Sequence, residues 1–337
     1  MTTLLQLARA TGLAVTTVSE ILRDKPGYQE ATRQRVRAAA QRLQYRPSAA
    51  ARQLRGARSG VLGVLVGLDD PQVNLDRLAA LERAAFEQSF RLLVGQVREG
   101  DDKMARYLDD FAARGIDGLI WLHQPFRRTP RVDPALFTRL GAVVALDQPI
   151  SEAGCCVRVD YAEGIRLAVR HLFSRGRRRI ALALAGAGRP GDPLRARQLG
   201  YRTALKEVGL TLDKRLTWLG QMEESPSPAT IDAAVEALVK GGRANALLAS
   251  NDIWAAALIR ALRRRGLRIP EDVAVVGFDN LNFSALLDPA LTTVDQAHPA
   301  FAAAALDLMN HLLARRPQAR AARTRTIAPA LVVRESA

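Results

Sequence analysis

From Ser59 onward the chain alternates short β-rich runs with amphipathic helical ones, and this alternation constrains the fold more than any other feature. The strand-like runs are Val61–Leu68, Arg91–Val97, Gly118–Leu122, Val143–Asp147, Cys156–Asp160, Arg179–Ala185, Ala246–Ser250, Val273–Phe278 and Thr292–Asp295. Helical periods fall between them at Leu75–Gln88, Ala162–Leu172, Ala196–Val208, Ala229–Val239, Ala255–Arg264 and Ala300–Leu313. Strand and helix in turn argue parallel sheets with helices on both faces. So many strands in roughly 275 residues favour two sheets over one.

A different grammar precedes Ala57. Leu4–Ala10, Thr16–Leu22 and Glu30–Leu43 read as helices, broken by Gly12 and by the Pro26-Gly27 turn, with no strand between them. The chain carries a net charge of +15, and residues 1–58 hold eleven basic against three acidic side chains, a net +8 in the N-terminal sixth. A polyanion is the expected partner of that sixth. In Thr16–Arg23 the apolar Val18, Ile21 and Leu22 recur at helical spacing, which leaves Thr16, Thr17, Glu20 and Arg23 on the opposite face. With the preceding helix and Thr11-Gly12 as the turn, this is a helix-turn-helix pattern suited to a major groove.

The ordered match TVS, TRQRV, LQYRPS and ARQLR between residues 16 and 55 resembles the lactose-repressor/galactose-repressor family of bacterial transcription regulators, and the likeness continues to the end of the chain. That resemblance implies base contacts from Val15, Thr16 and Glu20, with Thr17 on the same polar face, and phosphate contacts from Thr3, Ser19 and Thr32. It also implies a hinge helix over Ser48–Leu54, carrying Ala51, that forms on operator DNA and drives Leu54 as a wedge into the minor groove. Two departures stand out. Glu20 occupies a position where an arginine is common, so it would accept from a cytosine N4 amine and the operator half-site should differ. Ala14 replaces the usual hydroxyl cap of the second helix. Val15 is read either as a thymine-methyl contact or as a core residue.

In open α/β sheets a ligand sits beyond the carboxyl ends of the strands. Those ends are polar here: His123, Asp147, Asp160, Asn251-Asp252, Asp279 and Gln296. Any one of them alone is more often a helix cap, but together they suit the hydroxyls of a small solute. The resemblance implies a periplasmic-binding-protein-like core of two lobes joined by three crossovers, with Arg197, Asn251, Asp252 and Asp279 as effector ligands and Asp160 at the pocket rim. Trp121, Trp254 and Phe283 are candidate ring-stacking walls. The expected boundaries are 1–46 for the DNA-binding headpiece, 47–58 for the hinge, 59–159 plus 292–322 for the first lobe and 160–291 plus 323–337 for the second.

The expected partners are a near-palindromic operator, a small effector and a second copy of the chain. The sugar, purine and nucleoside classes stay open, as does the sign of the response. Gly186, Gly188 and Gly191 satisfy a GxGxxG pattern, but Pro190 interrupts it and the element comes too late for a dinucleotide fold. Cys155 and Cys156 are adjacent, and His123, His171, His298 and His311 are scattered, so neither a catalytic constellation nor a metal site is expected. No cofactor is expected, and no apolar run reaches the roughly 20 residues that span a bilayer. A cytoplasmic, non-enzymatic regulator is the reading. Its rival is a solute sensor whose N-terminal helices dock protein rather than DNA.

Overall fold

Three helices build the N-terminal unit: α1 (Leu4–Thr11), α2 (Val15–Ile21) and α3 (Glu30–Arg42). Leu7, Ala8, Val18, Ile21, Val36 and Ala39 form its small core, one stripe from each helix. Thr3 and Gln6 close a reciprocal capping box at the start of α1, and Gly12 ends it in the left-handed region at φ 63°, a conformation that costs glycine nothing. The computed structural model describes residues 2–22, 24–45, 58–67, 71–98, 103–122, 139–147, 154–188, 192–220, 226–314 and 323–337. The chain divides into two units, Met1–Ser59 and Gly60–Ala337.

The larger unit carries two six-stranded sheets. Its elements are β1 (Val61–Gly67), α4 (Pro71–Glu87), β2 (Arg91–Val97), α5 (Lys103–Ala113), β3 (Gly118–Leu122), β4 (Ala142–Leu146), β5 (Cys155–Val159), α6 (Tyr161–Ser174), β6 (Ile180–Leu184) and α7 (Pro193–Glu207). They continue with β7 (Thr217–Leu219), α8 (Pro228–Val235), β8 (Ala246–Ala249), α9 (Asp252–Arg264), β9 (Ala274–Phe278), β10 (Thr292–Asp295), α10 (His298–Ala314), β11 (Thr324–Ile327) and β12 (Ala330–Val332). The first sheet runs β11-β5-β4-β3-β1-β2 with every pairing parallel. The second runs β12-β10-β9-β8-β6-β7, parallel except for β12 against β10.

Strands such as Ile180–Leu184 and Gly118–Leu122 are buried at every position, as sheets covered on both faces require. In the first lobe α4 and α10 cover one face through Leu81, Ala85, Phe301 and Met309, and α5 covers the other through Met104, Leu108 and Phe111. In the second, α6 and α7 supply Ile165, Val169, Tyr201 and Leu205, while α8 and α9 supply Ile231, Val235, Leu258 and Leu262. Gly200 lets α6 and α7 close up, because a Cβ there would stand 2.4 Å from the carbonyl oxygen of Ala162.

Two of the three expected crossings are corrected. The first falls at Asp160 as read. Thr292–Asp295, assigned above to the first lobe, pairs with β9 in the second sheet, so the chain crosses between Asp295 and His298. Thr324–Ile327, assigned to the second lobe, pairs with β5 in the first sheet, so the last crossing lies between Ile327 and Ala330. Sheet membership is a choice of hydrogen-bonding neighbour, which local periodicity does not encode. Helix α5 and strand β7 were also not read from the sequence.

Candidate functional site

The polar face of α2 is the first site. Thr16 is exposed, while Val15, Thr17 and Ser19 are half-buried. Val15 packs at the margin of the headpiece core, so both readings of it keep a physical basis. Its N-cap is Ala14 in extended backbone with no side-chain bond, which leaves the first-turn amides of α2 without a capping hydroxyl. Thr3 is occupied as the cap of α1, and Thr32 sits half-buried in the first turn of α3. Glu20 is already engaged: one carboxylate oxygen accepts from the phenol of Tyr28 and the other from Lys25 Nζ at 3.2 Å. This bond holds the Tyr28 hydroxyl above its ordinary range, because ionisation would destroy it and set two negative charges together. In this state Glu20 braces the turn after α2. Ser48, Ala51 and Leu54 lie outside the described residues.

The second site lies between the lobes, where strands of both sheets end. Asp147 follows β4 with φ 57°, and its carboxylate accepts from Val159 N at 3.3 Å and from the Tyr161 hydroxyl at 2.9 Å. Arg77 of α4 donates to Tyr161 Oη at 3.0 Å and to Gln296 Oε1 at 2.5 Å. The Gln296 amide donates in turn to Asp279 Oδ1 at 2.5 Å, beside β9. Arg197 stands 3.8 Å from that same oxygen, donates to Ser250 O at 2.5 Å, and lies 3.9 Å above the Phe278 ring. One continuous polar network therefore ties the first lobe, two crossovers and the second lobe.

Its charges are buried. Arg77 and Arg197 are 5% and 7% exposed, and burial pushes the Tyr161 phenol strongly upward, keeping it a neutral donor. A groove of about 660 Å³ opens alongside, lined by Asp147, Asp160, Tyr161, Asp192, Arg195 and their neighbours. Asp160 caps α6 by accepting from Glu163 N at 2.9 Å. Asn251 caps α9 by accepting from Trp254 N at 2.9 Å. His123 lies outside the described residues.

Arg197, Asp279 and Gln296 are thus brought together, with Asp160 and Asn251 at nearby helix starts. Asp252 is a correction. It is wholly buried and its carboxylate accepts from Leu281 N at 2.8 Å, Ser284 Oγ at 2.6 Å and Thr293 Oγ1 at 2.5 Å. Its acceptors serve the fold rather than the cleft. Trp121 and Trp254 are core residues, the latter packed on Trp218 at 5.5 Å, so neither is a cleft wall. Tyr161 lines the groove, its ring centroid 5.9 Å from that of the buried Phe278.

The sequence reading missed Arg77, Tyr161 and His298. A signal for Arg77 exists: it shares the buried stripe of α4 with Val73, Leu81 and Ala85 at four-residue steps, a charge on an apolar face. His298 has a lowered pKa of about 4, through burial first and then the Arg77 charge, so its imidazole is neutral.

No helix among the described residues is long and apolar enough to cross a membrane. Solved structures with this fold include a lac repressor dimer bound to operator and the anti-inducer ONPF, with a TM-score of 0.77 at 24% identity, covering 99% of this chain and 98% of that one. The ribose operon repressor of Escherichia coli K12 is 28% identical over 92% of this chain and 93% of its own. The HTH-type transcriptional repressor PurR of Aliivibrio fischeri strain ES114 is 30% identical over 88% of this chain and 87% of its own. Residues 3–48 match the model for bacterial regulatory proteins of the lacI family, and residues 169–337 match that for a periplasmic binding protein-like domain. A capped three-helix headpiece, two crossover-linked sheets and relatives aligned across both put this chain in the lacI family of bacterial regulatory proteins.

Proposed function

We propose that the protein is a sequence-specific operator-binding repressor, cytoplasmic and homodimeric, whose DNA affinity is set by a small polar effector, a sugar or a derivative of one, enclosed between the lobes. The observation that carries this reading is the buried network of Arg77, Tyr161, Gln296, Asp279 and Arg197, which spans the cleft at the crossovers. A ligand that exchanges these bonds for its own alters the relative free energy of lobe arrangements, and any such difference shifts the population of DNA-competent dimers. Arg197, Asp279, Gln296, Asn251 and Asp160 are assigned to effector contact. On the headpiece, Thr16 and Val15 are assigned to base edges, Thr3, Ser19 and Thr32 to phosphates, and the hinge 47–58 with Leu54 to the minor groove.

Exposed Leu75 and Phe86, eleven residues apart on one face of α4, and exposed Val94 on β2 supply an apolar surface on the first lobe for a second copy. Two-fold symmetry then calls for two half-sites in a near-palindromic operator. Both induction and corepression use these mechanics.

The test is operator binding by the full-length dimer on fragments selected from random duplex, across a salt series. Log affinity should fall by about 0.9 per phosphate neutralised for each unit of log salt. Arg197→Ala should remove the response to effector. Equal affinity for selected and random DNA, with a flat salt response, would refute operator recognition and favour the solute-sensor alternative.

A further inference from the structure

Two buried guanidinium groups beside the cleft each keep a donor without an acceptor. Arg77 Nε, Arg197 Nε and both ring nitrogens of His298 are buried without a hydrogen-bond partner. They belong to one cluster: both guanidinium groups adjoin Tyr161, by a bond of 3.0 Å from Arg77 and a ring contact of 5.2 Å from Arg197. His298 follows Gln296 by two residues at the start of α10, within the electrostatic reach of Arg77. The acceptors nearby are engaged. Asp147 receives Val159 N and Tyr161, Asp279 receives Gln296, and Gln296 Oε1 receives Arg77.

A buried N–H without a partner is costly, and on a charged group more so, so a ligand that reaches these guanidinium groups from the groove beside Tyr161 gains most by bringing acceptors to them. A hydroxyl also brings a donor, which one neutral imidazole nitrogen of His298 can accept but neither guanidinium group can. A carboxylate or phosphate brings only acceptors, and guanidinium groups match both in geometry and charge. We propose that Arg77 and Arg197 together bind an oxyanion of the effector, so that the ligand is a small hydroxylated molecule bearing one carboxylate or phosphate. His298, neutral and with a free nitrogen of each kind, takes the adjoining hydroxyl or anion oxygen. The assignment rests on the interlobe cleft being the effector site, and it adds Arg77, which the sequence reading did not contain.

The experiment is isothermal titration of the full-length protein with matched probes: glucose, gluconate and glucose 6-phosphate, ribose and ribose 5-phosphate, and inorganic phosphate, each with operator affinity measured in parallel. At least one anionic probe should bind about tenfold or more tightly than its neutral parent, as loss of a charge-assisted bond implies. Arg77→Gln should erase that preference, weakening the anion about tenfold more than it weakens the neutral parent. The carboxylate and phosphate arms tell the two sources apart.

A neutral sugar that binds as tightly as its acid and phosphate forms overturns the inference, and so does a panel in which no anion binds at millimolar concentration. The wild-type panel decides even if Arg77→Gln fails to fold. Binding of an anion, lost in Arg77→Gln, with no change in operator affinity would leave the oxyanion site standing and refute effector control instead.

Discussion

Replacing Asp252 separates a residue that builds the cleft from those that line it. In Asp252→Ala the Leu281 amide, in a residue only 2% exposed, loses its acceptor, and the hydroxyls of Ser284 and Thr293 lose theirs. The two hydroxyls can turn, but the amide cannot. One orphaned buried donor costs about 1 to 3 kcal/mol, and two partly compensated hydroxyls bring the total to about 3 to 5 kcal/mol. A domain of this size loses roughly 2 to 4 °C per kcal/mol, so melting should fall by about 6 to 20 °C. Asp252→Asn keeps one oxygen for Leu281 and Ser284 and can donate to Thr293, so it should cost only about 1 kcal/mol.

The pH dependence gives a second handle. Burial is the main reason the Asp252 carboxyl lies above its ordinary value, with the bonds from Ser284, Thr293 and Leu281 pulling the other way. A raised carboxyl favours the folded state below its unfolded value of about 3.9, and that advantage is lost as the pH rises through the folded value. Asparagine has no such titration, so the deficit of Asp252→Asn should be largest in acid and shrink toward neutrality. Thermal melts by circular dichroism at several pH values measure both effects. An Asp252→Ala protein that melts with the wild type but has lost effector binding would refute the structural assignment and return Asp252 to the ligand set.

Three further perturbations address the headpiece. Glu20→Gln removes the negative partner that raises the Tyr28 hydroxyl, so ultraviolet titration should find Tyr28 ionising at lower pH, and the preferred half-site should change; an unchanged Tyr28 titration would break the brace described above. Ala14→Ser supplies the missing cap of α2 and should stabilise it by about 0.5 to 2 kcal/mol, read as slower hydrogen exchange at Thr17 and Val18, with unaltered exchange counting against it. Leu54→Ala should weaken binding to a selected operator while leaving effector binding in place, measured by anisotropy and calorimetry; retention of full operator affinity would remove the minor-groove wedge.

Local pattern was enough for much of this protein. The alternation after Ser59 announced parallel sheets, and continuous apolar runs such as Ile180–Leu184 were legible because both faces of such strands are buried. The headpiece was legible for a similar reason: its core is one stripe per helix, and Gly12 marks its turn. Asp279 and Gln296 were found because they follow strands, where the topology of open sheets places ligands, whereas Arg197, inside α7, came only from the family resemblance.

What stayed hidden depends on neighbours distant in sequence. Whether Thr324–Ile327 joins β5 or the other sheet is settled by hydrogen bonds across 168 positions, as between Thr324 and Cys156. Arg77 meets Gln296 over 219 positions, and no local window sees that encounter. Asp252 reads like Asn251 beside it, yet it turns into the core while its neighbour caps a helix. Periodicity records which face of an element avoids water. Which donor a buried carboxylate finds there is decided only when the elements pack.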